Sequence, residues 1–373
     1  MKGVKRYLTS LIEKEIKTRN ESKSLYIQWH ITSKCSENCK HCYLDKNKVQ
    51  SFSLDDSIKI IEMIEELSFS YDNNCTIGIT GGDPLVNNSI YDIIKMCHDK
   101  GFQVNIKGNP NLITDEIAKL LVKSGITSYQ LSIDGTRSTH DNIRSSGSFD
   151  RTIKAINIMT EYGIKVGVKY TVSKTNMNDF FEVMDIAHDN KVYYIDFARY
   201  IPIMKEDWSI VPSPYDYRNF LISVLDKFQN MLKRGTKLRL NFRDYLWYAL
   251  FDELNLIPNE FKDSEKFIAG CSMGLTNHPL LVINYDGEVL PCAKMKKFSL
   301  GNVYKDSLIS IVNNTSSRYL KQLDSYIKCR NCNLVSLCRG CPATGYNNNC
   351  VLHDLCCWRA DVKSNKENLM KLC

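Results

Sequence analysis

Nowhere in the 373 residues is there a run of about 18 apolar side chains, so no segment reads as a membrane span. The N-terminus, MKGVKRYLTSLIEKEIKTRN, is charged throughout. It has no apolar stretch followed by a small-residue cleavage site, which argues against secretion and predicts a cytoplasmic location. The lysines are dispersed, with no basic tract interleaved with aromatics, so a net charge of +7 points neither to nucleic acid nor to a membrane as partner. A composition 43% apolar and 24% charged describes a globular chain with a substantial core, long enough for two or three domains. What the chain has in excess is cysteine. There are 15, an odd number that rules out full intramolecular pairing, and they crowd most densely between Cys329 and Cys357. With no signal peptide and with short C-x2-C spacings, metal ligation in a reducing compartment fits better than a disulfide framework.

Four zones follow from the pattern. Residues 1–24 carry Val4, Leu8, Leu11, Ile12 and Ile16 at helical spacing and read as one helix packed on the main domain. Residues 25–200 alternate strands and helices: LYIQWHI, CTIGIT, 102–107, SYQLSID, 164–172 and 192–199 read as strands. Ser53 with Asp56 approximates a capping box, and Thr114 caps a helix that Gly125 ends. Six such units predict an α/β fold, a partial (β/α)6 TIM-like barrel whose chemistry-bearing loops follow the strands at one rim. Residues 201–264 turn aromatic and charged and read as bridging helices. Residues 265–373 are dominated by cysteine and turns, with one hairpin, LLVINYDGEVLPC, turning at Asp286-Gly287. With so little apolar material, this last zone is expected to depend on metal for its fold.

Cys35, Cys39 and Cys42 follow the first strand with C-x3-C-x2-C spacing. Three thiolates can hold three irons of a cubane iron-sulfur cluster and leave the fourth open to a small molecule, which predicts a redox enzyme. A zinc site would need a fourth ligand, and His41, between Cys39 and Cys42, is poorly placed to be it. Gly81 and Gly82 end the second strand and, lacking side chains, let a ligand approach the backbone; with Asp83 and Pro84 they form a loop suited to an ammonium group. Ser132 and Asp134 leave the fourth strand pointing the same way, able to bind ribose hydroxyls. Arg144 can pair with a carboxylate. Lys169, Asp196 and Arg199, on the fifth and sixth strands, are candidates for the substrate channel.

In this combination the chain resembles the radical S-adenosylmethionine (radical SAM) superfamily, in the branch with a C-terminal SPASM domain, over about residues 25 to 357. The resemblance implies a 4Fe-4S cluster on Cys35, Cys39 and Cys42 that chelates S-adenosyl-L-methionine. Reductive cleavage of that cosubstrate then gives a 5'-deoxyadenosyl radical. It also implies two auxiliary 4Fe-4S clusters: a distal one on Cys329, Cys332, Cys338 and Cys356, with Cys357 competing for the last place, and a proximal one on Cys271, Cys292 and Cys341. The fourth proximal ligand stays open between Cys350, Cys357, a substrate thiolate and a non-cysteine ligand.

Enzymes of this architecture mostly modify peptides, which implies a ribosomally synthesised precursor peptide as substrate and a thioether or carbon-carbon crosslink as product. A reductant such as flavodoxin or ferredoxin is the implied electron source. Residues 1–24 are too few for a leader-recognition domain, so a separate leader-peptide recognition protein, or docking on residues 213 to 254, is expected; ordinary interdomain packing is the preferred reading of those residues. Two alternatives are anaerobic sulfatase maturation and peptide epimerisation. The first is disfavoured because Ala293 stands where that family carries an aspartate base. The second needs a free cysteine near the rim, whereas Cys75 and Cys97 read as core.

Overall fold

The structure, a computed structural model, describes residues 2–44, 49–202, 205–262, 270–273, 277–314, 332–346 and 357–359. A helix α1 (Lys2–Glu21) precedes an alternating series: β1 (Leu25–Thr32), α2 (Leu54–Ser68), β2 (Cys75–Gly81), α3 (Ile90–Asp99), β3 (Gln103–Lys107), α4 (Asp115–Lys123), β4 (Ser128–Ser132). It continues through α5 (Arg137–Ile143), α6 (Ser148–Glu161), β5 (Lys165–Val172), α7 (Phe180–Asp189) and β6 (Tyr194–Arg199). Then come α8 (Pro214–Lys233), β7 (Arg239–Asn241), α9 (Leu246–Glu253), α10 (Asn259–Lys262), β8 (Leu280–Ile283), β9 (Glu288–Leu290), β10 (Gly301–Asn302), α11 (Val335–Cys338) and α12 (Pro342–Tyr346).

Local signals act as the sequence predicts. Ser53 Oγ accepts from Asp56 N at 3.1 Å while Asp56 Oδ2 accepts from Ser53 N at 3.4 Å, closing the capping box of α2. Thr114 Oγ1 accepts from Ile117 N at the start of α4. The strands form one open sheet in the order β10-β9-β8-β1-β2-β3-β4-β5-β6-β7, parallel from β8 to β7, and this is a partial barrel. Two strands exceed the six expected in the barrel. β7 adds to β6 from within the bridging zone, and β8 pairs in parallel with β1, Tyr26 opposite Leu280 and Trp29 opposite Ile283. The Asp286-Gly287 hairpin therefore does not stand alone. Its first strand is buried as part of the main sheet, so the apolar poverty of the C-terminal zone is met by borrowed packing.

Period-two alternation divides each strand. Leu25, Ile27, Trp29 and Ile31 of β1, Val104 and Ile106 of β3, and Val166, Val168, Tyr170 and Val172 of β5 face the helices and are buried. The opposite row is polar: Tyr26, Gln28, Asn105, Lys107, Gln130, Lys169, Tyr194 and Asp196 line a lumen cavity of about 600 Å³. A closed eight-stranded barrel fills this space with branched apolar side chains. Here the interior is hollow and hydrophilic, kept open partly by Gly78 and Gly167, where added Cβ atoms would lie 2.3 Å from Tyr26 Oη and 2.0 Å from the Tyr194 ring.

α1 packs Leu8, Ile12 and Ile16 into the core, and its C-terminal residues Thr18 and Arg19, with Ser22 just after it, help close the lumen. Arg19 Nη1 donates to the Gly270 carbonyl at 2.6 Å, joining this helix to the C-terminal zone. In the bridging zone, Tyr217, Phe220, Phe228, Trp247, Tyr248 and Phe251 are buried, and Tyr215 and Leu254 are exposed. Most of the aromatic surface considered for leader docking is thus used in packing. Among the described residues no helix is long and apolar enough to cross a membrane.

Candidate active site at the rim of a polar lumen

The loop after β1 is tied to the loop after β2 by backbone contacts. Gly82 N donates to Thr32 O and Asp83 N to Lys34 O, each at 2.8 Å. An added Cβ at Gly81 would sit 2.1 Å from Thr32 O, and at Gly82 1.9 Å from Lys34 O. The space freed by the two glycines is therefore occupied by the cysteine loop itself. Gly81, at φ +139°, also holds a conformation few other residues adopt.

Cys35 and Cys42 are exposed and Cys39 is half-buried. Asn109 Nδ2 donates to Cys35 Sγ at 3.1 Å, and Arg144 Nη1 points at Cys39 Sγ at 3.7 Å. Burial pushes the Cys39 thiol up to about 11, opposed by the Arg144 charge. Inside the loop, the buried Glu37 carboxylate accepts from Asn111 Nδ2 at 3.0 Å and Ser145 Oγ at 2.7 Å, while Lys40 N donates to Ile143 O at 2.9 Å. The cysteine loop is thereby clamped to α5 and the turn after it. Among the described residues no three His, Cys, Asp or Glu side chains converge tightly enough for a single metal ion.

Asp83 is fully buried. Its Oδ1 accepts from Leu85 N at 3.3 Å, its Oδ2 has no partner among the described residues, and burial lifts the carboxyl to about 6. An orphaned buried carboxylate oxygen beside three thiols suits a cation-bearing ligand. Asp134 is also buried, but both its oxygens are engaged: Oδ2 by Arg144 Nε at 2.7 Å and by His41 at 3.6 Å, and Oδ1 by Thr171 N at 2.9 Å. The carboxylate that Arg144 meets is thus that of Asp134. Ser132 is half-buried at the end of β4, opposite Lys169.

Of the three channel candidates, Lys169 and Asp196 lie opposite each other on β5 and β6, form an ion pair and line the lumen. Arg199 is not with them. Three residues along β6 it has the opposite parity, and it is buried on the helix side, Nε donating to Asp244 Oδ2 at 2.6 Å beside the Tyr217 hydroxyl, which donates to the same oxygen at 2.8 Å.

The C-terminal cysteines gather in two places. Cys271, Cys292 and Cys341 all pack on a small cluster of Met273, Met295 and Ala343. Cys332, Cys338 and Cys357 pack against the main core, with Arg359 within electrostatic reach of both Cys332 and Cys357. Arg359 is itself anchored to Asp252 of α9 at 2.6 Å. Cys329, Cys350 and Cys356 lie outside the described residues. Lys294 stands over the Tyr43 ring at 4.2 Å and feels Cys292, Cys42 and Cys341, while burial lowers its ammonium to about 8. Cys75 and Cys97 are buried in the core.

Sequence reasoning did not single out Asn109, Glu37, Lys107 or Lys294. Lys107 had a usable signal, a charged residue in the inward row of a barrel strand. Asn109 and Glu37 sit in irregular loops, where spacing carries no information on direction.

Comparison with known proteins agrees with this geometry. Residues 29–187 match the radical SAM superfamily, and residues 271–342 match the SPASM iron-sulfur cluster-binding domain. The chain is a radical SAM enzyme of the SPASM branch; its cofactors are S-adenosylmethionine and 4Fe-4S clusters. Among its relatives, the Fe-coproporphyrin III synthase of Methanosarcina barkeri is 24% identical over 86% of this chain and 84% of its own length. The subtilosin biosynthesis protein AlbA of Bacillus subtilis is 28% identical over 94% of this chain and 70% of its own. In fold the chain is similar to Streptococcus suis SuiB, solved bound to the precursor peptide SuiA, with a TM-score of 0.68 and 18% identity over 93% of this chain and 79% of that one.

Proposed function

We propose that this enzyme modifies a ribosomally made peptide, drawn into the lumen, by forming a thioether or carbon-carbon crosslink. The observation that carries the reading is the position of the hollow. It runs from Lys107, two residues before the Asn109 that touches Cys35, to Ser272, next to Cys271. A substrate seated in it would reach toward the radical-generating loop past Lys107 and pass Ser272, the neighbour of Cys271. The similarity to AlbA and to the peptide-bound SuiB fold supports a peptide occupant.

Cys35, Cys39 and Cys42 would hold the first cluster, and the open Asp83 oxygen would take the cosubstrate ammonium. Bound there, the cluster and S-adenosylmethionine supply one electron and a 5'-deoxyadenosyl radical that abstracts an unactivated hydrogen. The protein's own part is positional. Glu37 and the Asp134–Arg144 pair fix the cysteine loop, the glycine loop sets the distance between β1 and β2, and Ser132 faces the same rim. Cys271, Cys292 and Cys341 would hold the proximal auxiliary cluster, with a substrate thiolate or a further protein ligand at the fourth position. Cys332 and Cys338, with Cys329 and either Cys356 or Cys357, would hold the distal one. Cys350 is a candidate for the unassigned proximal place. Flavodoxin or ferredoxin would supply electrons, and a separate protein would recognise the leader.

The test is anaerobic reconstitution, reduction and mass analysis of a short cysteine-rich or aromatic-rich peptide encoded beside this gene. Loss of two hydrogens supports the crosslink; unchanged mass with deuterium uptake from solvent would instead show epimerisation. Formylglycine formation is disfavoured by Ala293 after Cys292. A second reading, action on a tetrapyrrole, is favoured by the Methanosarcina barkeri relative, and conversion of iron-coproporphyrin in place of any peptide would establish it.

A further inference from the structure

The lumen collects cations. Arg19, Lys107, Lys169 and Arg243 line it, and the carboxylate in the same lining is Asp196. Three of the four cations are compensated. Lys169 pairs with Asp196, Arg243 lies within the field of both Asp196 and Glu15, and Arg19 is held by the Gly270 carbonyl with Glu15 near. Lys107 differs. Its ammonium donates to Gln28 Oε1 at 3.3 Å and stands over the Tyr26 ring at 5.3 Å, both neutral partners, and among the described residues it makes no ion pair. The hollow is shaped around this side chain, because Gly78 lies beneath it, where a Cβ would be 3.5 Å from Lys107 Cε. Lys107 ends β3, two residues before the Asn109 that touches Cys35, and its ammonium turns back toward Gln28 and Tyr26 in the first half of β1.

A half-buried ammonium facing a cavity, with neutral neighbours and fixed lysine geometry, is a preformed anion receptor: an entering carboxylate regains there the charge pairing it loses on leaving water. We infer that Lys107 binds a carboxylate of the substrate at the inner end of the lumen and so fixes how far the rest of the substrate reaches toward the radical-generating loop. The ligand class is a carboxylate side chain, either that of an acidic peptide residue or that of a carboxylated macrocycle. This deepens the reading of the lumen as substrate site and rests on it. Specificity follows from charge: an isosteric amide leaves the ammonium without its anion.

Binding to the cluster-loaded holoenzyme without reductant, measured by isothermal titration calorimetry, tests this. The probes are Gly-Glu-Gly and its neutral counterpart Gly-Gln-Gly, both N-acetylated and C-amidated so that the Glu side chain carries the one carboxylate, and coproporphyrin III. Gly-Glu-Gly is expected to bind about tenfold more tightly than Gly-Gln-Gly. Lys107→Gln should abolish that difference and Lys107→Arg keep it. Stronger retention of coproporphyrin than of Gly-Glu-Gly, again lost in Lys107→Gln, would assign the carboxylate to a macrocycle. Equal affinity for the Glu and Gln peptides in the unsubstituted protein, a comparison independent of how any variant folds, would overturn the inference, as would an undiminished preference in Lys107→Gln. Turnover is not required, so failure here is distinct from failure of the proposed reaction, which is read from 5'-deoxyadenosine and product mass.

Discussion

Asp83 shows how a single buried group couples stability to ligand binding. Its carboxyl is lifted from an ordinary 3.8 to about 6 by burial, so the folded chain holds this proton more tightly than the unfolded one. The sign follows directly: as pH rises from about 4 through 6, the folded state must give up a proton it favours, and stability falls across that window. Asp83→Asn should stabilise the cofactor-free protein at pH 7 by up to about 3 kcal/mol, with little effect below pH ~4, measured by urea unfolding at both values. The same substitution should weaken S-adenosylmethionine binding and remove its rise in affinity as pH passes 6. A variant that bound the cosubstrate with unchanged affinity would show that Asp83 does not meet its ammonium. The Asp134–Arg144 pair is the contrasting case. Asp134 is equally buried but held below the usual carboxylate range: burial raises its carboxyl, and the Arg144 charge, helped by His41, more than offsets this. Its work is to hold the cysteine loop in place.

At the scale of elements, the strands and caps of residues 25–200 were legible because each carries its own signal: alternation, an N-cap, a terminating glycine. The short helix α5 was not, since seven residues of mixed polarity show no face. The joining of β8 to β1 was also hidden. Period and propensity describe a strand but not its neighbour, and the partners Trp29 and Ile283 are 254 positions apart in the chain. That pairing changes an expectation about metal dependence. Since β8 is hydrogen-bonded on both sides, the amides of Val282 and Ile283 should stay protected in hydrogen exchange after iron is removed, while α11 and α12 lose protection. Collapse of protection throughout β8 and β9 on iron removal would restore the view that the whole C-terminal zone folds around its clusters.

For the whole molecule, the described cysteines outside the core fall into three groups: the loop after β1, the Met273–Met295 cluster, and the face packed on the main core. Cys39→Ala should remove roughly four irons and abolish cosubstrate cleavage, as read by iron content and 5'-deoxyadenosine. Cys338→Ala, on α11 beside α9 and away from the rim loop, should lose a comparable amount of iron yet keep cleavage while product formation falls. Retained cleavage in Cys39→Ala would remove the basis for placing the first cluster on that loop. The site was half legible in advance. Thiol spacing and the glycine pair declared themselves because iron ligation and close backbone approach tolerate few substitutes. Arg199 was misplaced among the channel candidates because strand parity was not applied to it: Lys169 and Asp196 face the lumen, and Arg199 faces Asp244.

Residue order alone determined the class of chemistry, through three closely spaced thiols after a strand, and the alternation that builds the barrel, because both are short-range properties of a chain. The tertiary structure decided what lies between them. It brought β8 beside β1 and Ser272 to the lumen, left one oxygen of Asp83 without a partner among the described residues and set the Lys107 ammonium between neutral partners in a hollow that Asp196 also lines. Those outcomes depend on which distant surfaces meet, and burial and electrostatic fields are sums over all of them.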